Sequence, residues 1–399
     1  LNIAGITAEY NPFHTGHAYQ VSALREQLGR DTAVAAVMSG NWVQQGRPAV
    51  TDKWTRARMA LNGGVDLVLE LPTVWAASSA ESFARGAVAL MCCSGVVDTL
   101  CFGSEAGELS SLQAAADCLD SPDYPAQLRR ALEGGASFAA ARQTAVEHLI
   151  GPVGTALASP NNNLGVEYLR SLRALGSAIR PVTVRREGAA HNTWDETGEG
   201  FRSATQLRQH LARGEWEAVR PYVPAGNLPL LQSAPLTDPE LGERAMLACL
   251  RKMRAEDWAK LPDAGAREGL PQRLERAGQR CHSLDDFFAQ AKTRRYAMAR
   301  LRRMALWAFL GLTAADISDE PPYLRVLGFN ARGREVLREM KQKARLPILT
   351  KPAHARALDG PGRQLFELEA RCTDLYGLFL PQLPPPRQEW TRGPVIDID

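Results

Sequence analysis

No apolar run in the sequence approaches the roughly 18 residues that a membrane-spanning helix requires. Nor does a basic start lead into a short apolar stretch of the kind that directs secretion. The seven cysteines (Cys92, Cys93, Cys101, Cys118, Cys249, Cys281 and Cys372) are odd in number and lack CxxC spacing. That pattern argues against a disulfide framework and against a cysteine-based zinc site, and no metal centre is expected. A large excess of either charge is lacking as well. A net charge of +3 gives no global field for a polyanion, so any basic surface has to come from local clustering. Repeats and low-complexity tracts are missing. What these absences leave is a reduced, cytoplasmic, globular protein with no membrane association and no obligate protein partner implied. With 399 residues, it is long enough for two domains.

What is present begins as an alternation. Short apolar segments at residues 2–8, 32–38, 66–71 and 99–102 read as strands, and residues 16–28, 52–62 and 79–91 read as the helices between them. Residues 109–149 are helical, 159–174 form a further helix, and 179–184 a fifth strand. A polar, Gly-rich loop at 188–200 leads to Ser203, which is placed to cap a helix ending near Gly214. Alternation of this kind predicts an α/β fold, a parallel sheet covered by helices on both faces. From residue 215 onward strand signals are sparse, and Pro384 to Pro386 start a loose tail. The expected division is therefore 1–214 for the α/β part and 215–399 for a mostly α-helical part.

The strongest local signal is Glu9-Tyr10-Asn11-Pro12-Phe13-His14-Thr15-Gly16-His17, directly after the first strand and opening the first helix. In a parallel sheet, ligands bind at the carboxyl ends of strands. A helix N-terminus there offers unpaired N–H groups to a phosphate, and Gly16 lets the backbone come close. His14 and His17 are placed to donate hydrogen bonds as charge builds on phosphate oxygens during attack on the α-phosphorus. Two blander readings stand beside this one. The histidines can be metal ligands, although no third partner is apparent, or simply a helix cap and a core residue.

The motif resembles the HxGH signature of the nucleotidyltransferase superfamily. The longer stretch from Gly5 to Gln20 resembles the bacterial tRNA(Met) cytidine acetate ligase family, and the resemblance continues along the chain. Met38-Ser39-Gly40-Asn41 with Gly46 and Pro48-Ala49 is similar to that family's second loop. Lys53-Trp54, Arg56, Glu70-Leu71-Pro72, Phe102-Gly103-Ser104-Glu105 and Ser159-Pro160-Asn161-Asn162 follow in the family's order. Ser203-Ala204-Thr205 with Leu207-Arg208 resembles the SxTxxR element that other nucleotidyltransferases use on ATP phosphates. In the second half, Arg294-Arg295-Tyr296, the segment from Pro321 to Asn330, and Leu346-Pro347-Ile348 match as well. Two departures stand out. The family usually has Arg after the glutamine of the second loop, where this chain reads Gln44-Gln45-Gly46-Arg47. Around His191 the sequence is Ala189-Ala190-His191-Asn192 in place of Gly-Tyr-His-Asp, so His191 is left out of the catalytic set.

The resemblance implies a Rossmann-like parallel sheet of the HxGH nucleotidyltransferase type with an α-helical C-terminal domain. It implies ATP as substrate, with Mg2+ accompanying it, and acetate and elongator tRNA(Met) as partners. Acetyladenylate would form first, and the wobble cytidine would then take the acetyl group to give N4-acetylcytidine. His14 and His17 would be catalytic. The ATP contact would run through Thr7, Ala8, Glu9, Tyr10, Asn11, Pro12, Phe13, His14, Thr15, Gly16, His17, Ala18, Tyr19 and Gln20. Gly103, Asn161 and Arg186 would complete it, with Arg185 the alternative if register slips by one, and Ser203 and Arg208 would hold triphosphate oxygens.

For RNA the informative stretch is Lys292, Arg294, Arg295, Arg300, Arg302 and Arg303, six cations in twelve residues with no acid among them. Such a cluster suits an RNA backbone, whereas a solvated helix face is the plain alternative. Two other functions stay open at this level. One is a small-molecule adenylyltransferase. The other is a non-catalytic RNA-binding protein that keeps an ATP site for regulation.

Overall fold

The computed structural model describes residues 1–186, 203–265 and 268–398. Among them ten strands occur: β1 (Ile3–Ala8), β2 (Ala33–Ser39), β3 (Trp42–Val43), β4 (Arg47–Pro48), β5 (Leu67–Leu71), β6 (Thr99–Ser104), β7 (Arg180–Arg185), β8 (Leu324–Asn330), β9 (Ile348–Leu349) and β10 (Val395–Asp397). The main sheet has the order β10-β8-β5-β2-β1-β6-β7, with β9 paired to β8 off this path. β1 pairs parallel with β2 on one side and with β6 on the other. The chain thus builds outward from β1 through β2 to β5, then returns to the centre at β6. That reversal opens a crevice between the carboxyl ends of β1 and β6, where a doubly wound sheet binds its ligand.

The central strands are mostly apolar because both faces are covered, and all seven residues of β2 are buried. Side chains alternate between two cores, as the two-residue period of a strand requires. Ala4, Ile6, Val34, Ala36 and Val68 face helices α1 (Thr15–Leu28) and α2 (Lys53–Asn62) through Val21, Leu24, Ala57 and Ala60. Ile3, Ala35, Val37, Leu69 and Leu100 face the helices Ala80–Ser94 and Pro160–Ala174. The long helical stretch expected at 109–149 resolves into three helices, Leu109–Leu119, Tyr124–Glu133 and Phe138–Ile150. The loop expected at 188–200, with His191, lies outside the described residues.

Beyond residue 214 helices do dominate, but the sheet does not stop there. β8 pairs antiparallel with β5, and β10 pairs parallel with β8. The prolines at 384–386 are followed by the short helix Gln388–Thr391 and by β10, so the expected loose tail returns to the sheet edge. Sequence pattern hides β8 because it stands among helices, and the strand that follows it, β9, has only two residues. Its partner on the side of the main sheet, β5, lies more than 250 positions away in the chain, and the buried Arg325 interrupts its apolar run. One hydrophobic cluster runs from the sheet into the helices Pro239–Leu250, Leu270–Arg280 and Met298–Leu310.

Where the two halves meet, charged groups are buried together. Lys53 Nζ bridges Glu70 at 2.6 Å and also Glu389, which Arg325 meets at 3.5 Å. Glu369 accepts from the backbone N–H of Thr73 at 2.7 Å and from its hydroxyl at 2.9 Å. Three carboxyls therefore share two cations, which leaves room for one proton. Glu369 holds it most firmly: burial first, and Glu70 second, push its carboxyl up to about 8. This network ties the C-terminal segment to the start of α2 and the end of β5.

Candidate active site at the head of helix α1

The chain leaves β1 at Ala8 and turns through Glu9 and Tyr10, which has φ +46, and a cis Asn11–Pro12 bond before α1 begins at Thr15. His14 is the N-cap of α1. Its Nδ1 accepts from the Gly16 N–H at 3.1 Å, while the His17 Nδ1 accepts from the His14 N–H at 3.2 Å. The pair forms a capping box in which two imidazoles take the places usually held by Ser and Glu. The rings stack with centroids 3.8 Å apart.

This arrangement decides the tautomers. A ring nitrogen that accepts from a backbone N–H carries no proton, so each neutral imidazole bears its proton on Nε2, the edge facing away from that amide. Burial, then His14, then Arg186 hold the His17 pKa well below its ordinary value. His17 is therefore a neutral donor at physiological pH. It packs edge-on against Tyr10 with centroids 4.9 Å apart, and Tyr10 lies 4.8 Å from Phe13.

Two arginines hold the loop by its carbonyl oxygens. Arg56, fully buried on α2, donates to the Glu9 carbonyl at 2.6 Å, to Ser39 O at 3.2 Å and to Gly40 O. Arg208, on the helix Ala204–Ala212, donates to Asn11 O at 2.7 Å and to the Thr205 hydroxyl at 3.0 Å. Asn11 Oδ1 accepts from Val50 N–H at 2.7 Å, and the Glu9 carboxylate from Gln44 N–H at 2.8 Å. Glu9 and Asn11 are thus each held, through carbonyl and side chain, by partners from other elements. Arg56 belonged to the family-like segment, but its place here was not assigned from sequence. The available signal was its position on the apolar stripe of α2, three residues before Met59 and four before Ala60, both fully buried.

The other predicted residues sit as follows. Thr7 and Ala8 end β1, and Thr15 to Gln20 form the first turns of α1. Gly103 stands at the end of β6 in register with Val184, and a Cβ there would lie 3.1 Å from Arg186 Cγ. Arg186 thus lies across Gly103 and within electrostatic reach of His17, whereas Arg185 packs against Gly107. Asn161 Nδ2 donates to Glu105 Oε1 at 2.6 Å, and the other oxygen of Glu105 accepts from Asn162 N–H at 2.9 Å. Glu105 therefore serves the start of the helix Pro160–Ala174. Ser203 caps its own helix in a reciprocal pair with Gln206. The first turn of α1, Gly103 and Arg186 converge on the crevice, while Ser203 and Asn161 are engaged at helix starts beside it.

Of the six cations expected to meet RNA, three are engaged locally. Lys292 donates to Tyr296 O at 2.5 Å, Arg300 to Asp263 O at 2.6 Å, and Arg303 pairs with Asp263 at 3.8 Å. Arg294, Arg295 and Arg302 have no ion pair within 4.0 Å among the described residues. A separate cavity of about 760 Å³ lies at the amino ends of the strands, lined by Asn2, Thr99 and Arg180. It contains none of the loop residues, and the donor chemistry is at the other end of the sheet.

Residues 1–389 match the model of the HIGH Nucleotidyl Transferase family. The tRNA(Met) cytidine acetate ligase of Thermoanaerobacter sp. (strain X514) is 36% identical over 390 residues, covering 95% of each chain. That of Caldanaerobacter subterraneus subsp. tengcongensis is 38% identical, again over 95% of each. The crystal structure of Thermotoga maritima TmcAL bound with alpha-thio ATP superposes with a TM-score of 0.91 at 32% identity, covering both chains in full. Its apo form gives a TM-score of 0.93. With the stacked imidazole pair, the switch-point crevice and near full-length similarity in agreement, this chain belongs to the HIGH nucleotidyltransferase family, in the group of the tRNA(Met) cytidine acetate ligases.

Proposed function

We propose that this protein is an ATP-dependent tRNA(Met) cytidine acetate ligase. A carboxylate oxygen of acetate attacks the α-phosphorus of ATP, the bond to the β-phosphate oxygen breaks, and acetyladenylate and pyrophosphate result. The exocyclic amine of the wobble cytidine of elongator tRNA(Met) then attacks the acetyl carbonyl. AMP leaves, the nitrogen loses a proton, and N4-acetylcytidine is the product.

The observation that carries this reading is the stacked pair of imidazoles at the head of α1. Attack on phosphorus asks little covalent work of a protein; it asks for positioning and for donors where negative charge accumulates. His14 and His17 would supply Nε2–H donors, the start of α1 its partial positive charge, and Arg186 a cation over Gly103. Magnesium would arrive on the triphosphate, held by phosphate oxygens and water. The part from 215 to 399 would help to hold the tRNA, with Arg294, Arg295 and Arg302 against its backbone.

Incubation with ATP, radiolabelled acetate and total tRNA tests the proposal. Label is expected in RNA, released as N4-acetylcytidine on nuclease digestion. Transfer of AMP to a small acceptor, with RNA unlabelled, would instead identify an adenylyltransferase.

A further inference from the structure

The β3–β4 hairpin connects the loop before α1 to the second half of the chain. At its near end Gln44 N–H donates to Glu9 at 2.8 Å. Its base is fixed by Trp42, whose indole N–H donates to Cys372 O at 3.0 Å. At its turn Gly46 has φ +72, and a Cβ there would stand 2.5 Å from Arg303 N and 2.6 Å from Arg302 C. The turn is thus pressed, backbone to backbone, on the helix Met298–Leu310. The next residue, Arg47, is exposed and lies beside Arg302.

Neither Arg47 nor Arg302 has an ion pair within 4.0 Å among the described residues, and Asp285 is the acidic group that acts on both. Arg208 is the third member of the group, and its bonds go to a carbonyl and a hydroxyl. Arg47 opposes the charge of both neighbours. Three segments far apart in sequence therefore bring Arg47 near two other guanidinium groups, of which Arg208 is offset by Glu9. Such an arrangement is unfavourable alone and becomes favourable around a polyanion. The ATP site has its own cation: His17 feels Arg186, and neither Arg47 nor Arg302 is among the groups acting on it.

We propose that Arg47 and Arg302 grip a phosphodiester of the RNA strand close to the nucleotide that enters the crevice at α1. This rests on the reading of the protein as a tRNA-modifying ligase. Arg47 is then a positioning residue. It sits on a hairpin held at one end by Glu9 and at the other by the helix Met298–Leu310, so a bound strand would be registered against both halves at once.

The test uses the full chain with Arg47→Ala, Arg302→Ala and Arg47→Lys. Three quantities are measured: tRNA affinity across a salt series, the KM for tRNA in acetylation, and acetate-dependent exchange of pyrophosphate into ATP without RNA. Each alanine variant is expected to weaken tRNA binding severalfold and to lower the slope of log affinity against log salt by about 0.7–1, one phosphate contact. In Arg47→Ala the exchange rate should hold within about twofold, and Arg47→Lys should recover the slope. An unchanged slope in Arg47→Ala overturns the grip. So does a collapse of exchange in that variant, which would place Arg47 on the triphosphate. Absence of exchange in the wild type overturns the ligase reading itself, and the salt slope still decides whether Arg47 meets RNA.

Discussion

His17 does two things with one ring: its Nδ1 closes the first turn of α1, and its opposite edge is left as a donor. Replacing it by alanine should therefore act on both stability and rate. Loss of one preorganised donor at a site of developing charge costs about 10²–10³ in rate, and loss of a cap about 1 kcal/mol. Acetate-dependent pyrophosphate exchange in His17→Ala should fall by about that factor in protein that still melts cooperatively; equal exchange would remove His17 from the chemistry. The depressed pKa has a direction as well. The folded ring stays neutral where the unfolded ring, near 6.5, takes a proton, so its contribution to stability is complete above that value and lost as pH falls below it. The His17 ring, followed by NMR, should show no titration near pH 6.5. The sequence placed His14 and His17 at the head of the first helix directly after the first strand, and there they form the capping pair. Arg56 was not assigned, because its role comes from carbonyls of residues 9, 39 and 40, brought round it only by the sheet.

Among the elements, the β3–β4 hairpin is the one whose importance depends most on contact. Its strands have two residues each, and Trp42 and Val43 are buried. Gly46→Ala is expected to destabilise the protein by about 1–2 kcal/mol from the left-handed φ alone, with a further cost because a Cβ would meet the backbone of Arg302 and Arg303. Urea unfolding would show the lowered midpoint. A midpoint equal to the wild type would mean that the turn is not seated on that helix. Elements of the first half were legible because each is local: α2 begins at Asp52, whose carboxylate accepts from Trp54 and Thr55 N–H, and the helix Ala80–Ser94 ends at Gly95 in the left-handed region. The break of the 109–149 stretch into three helices was not read, although Ser121-Pro122 and Gly134-Gly135 stand at its two breaks.

Across the whole molecule, the buried network of Lys53, Glu70, Arg325, Glu369 and Glu389 joins sheet, second half and C-terminal segment. It also makes stability depend on pH. Glu369 titrates near 4.5 when unfolded and at about 8 in the fold. Between those values the folded chain keeps a proton that the unfolded chain has lost, so stability falls as pH rises through that window and levels off above it. Glu369→Gln, which keeps an oxygen for Thr73 N–H, should flatten this part of the pH profile of the melting temperature. A profile superimposable on the wild type would show that the proton resides elsewhere.

Residue order alone determined the alternating strands and helices of the first half and the position of the His14 loop between β1 and α1. Those features depend on side-chain periodicity, caps and turn residues, which act over a few positions. Only the tertiary structure decided that β8 and β10 complete the sheet, that Arg56 and Arg208 hold the loop, and that Arg47 stands beside Arg302. Such neighbours lie tens to hundreds of residues apart, and what brings them together is burial of a shared core, a property of the folded chain as a whole.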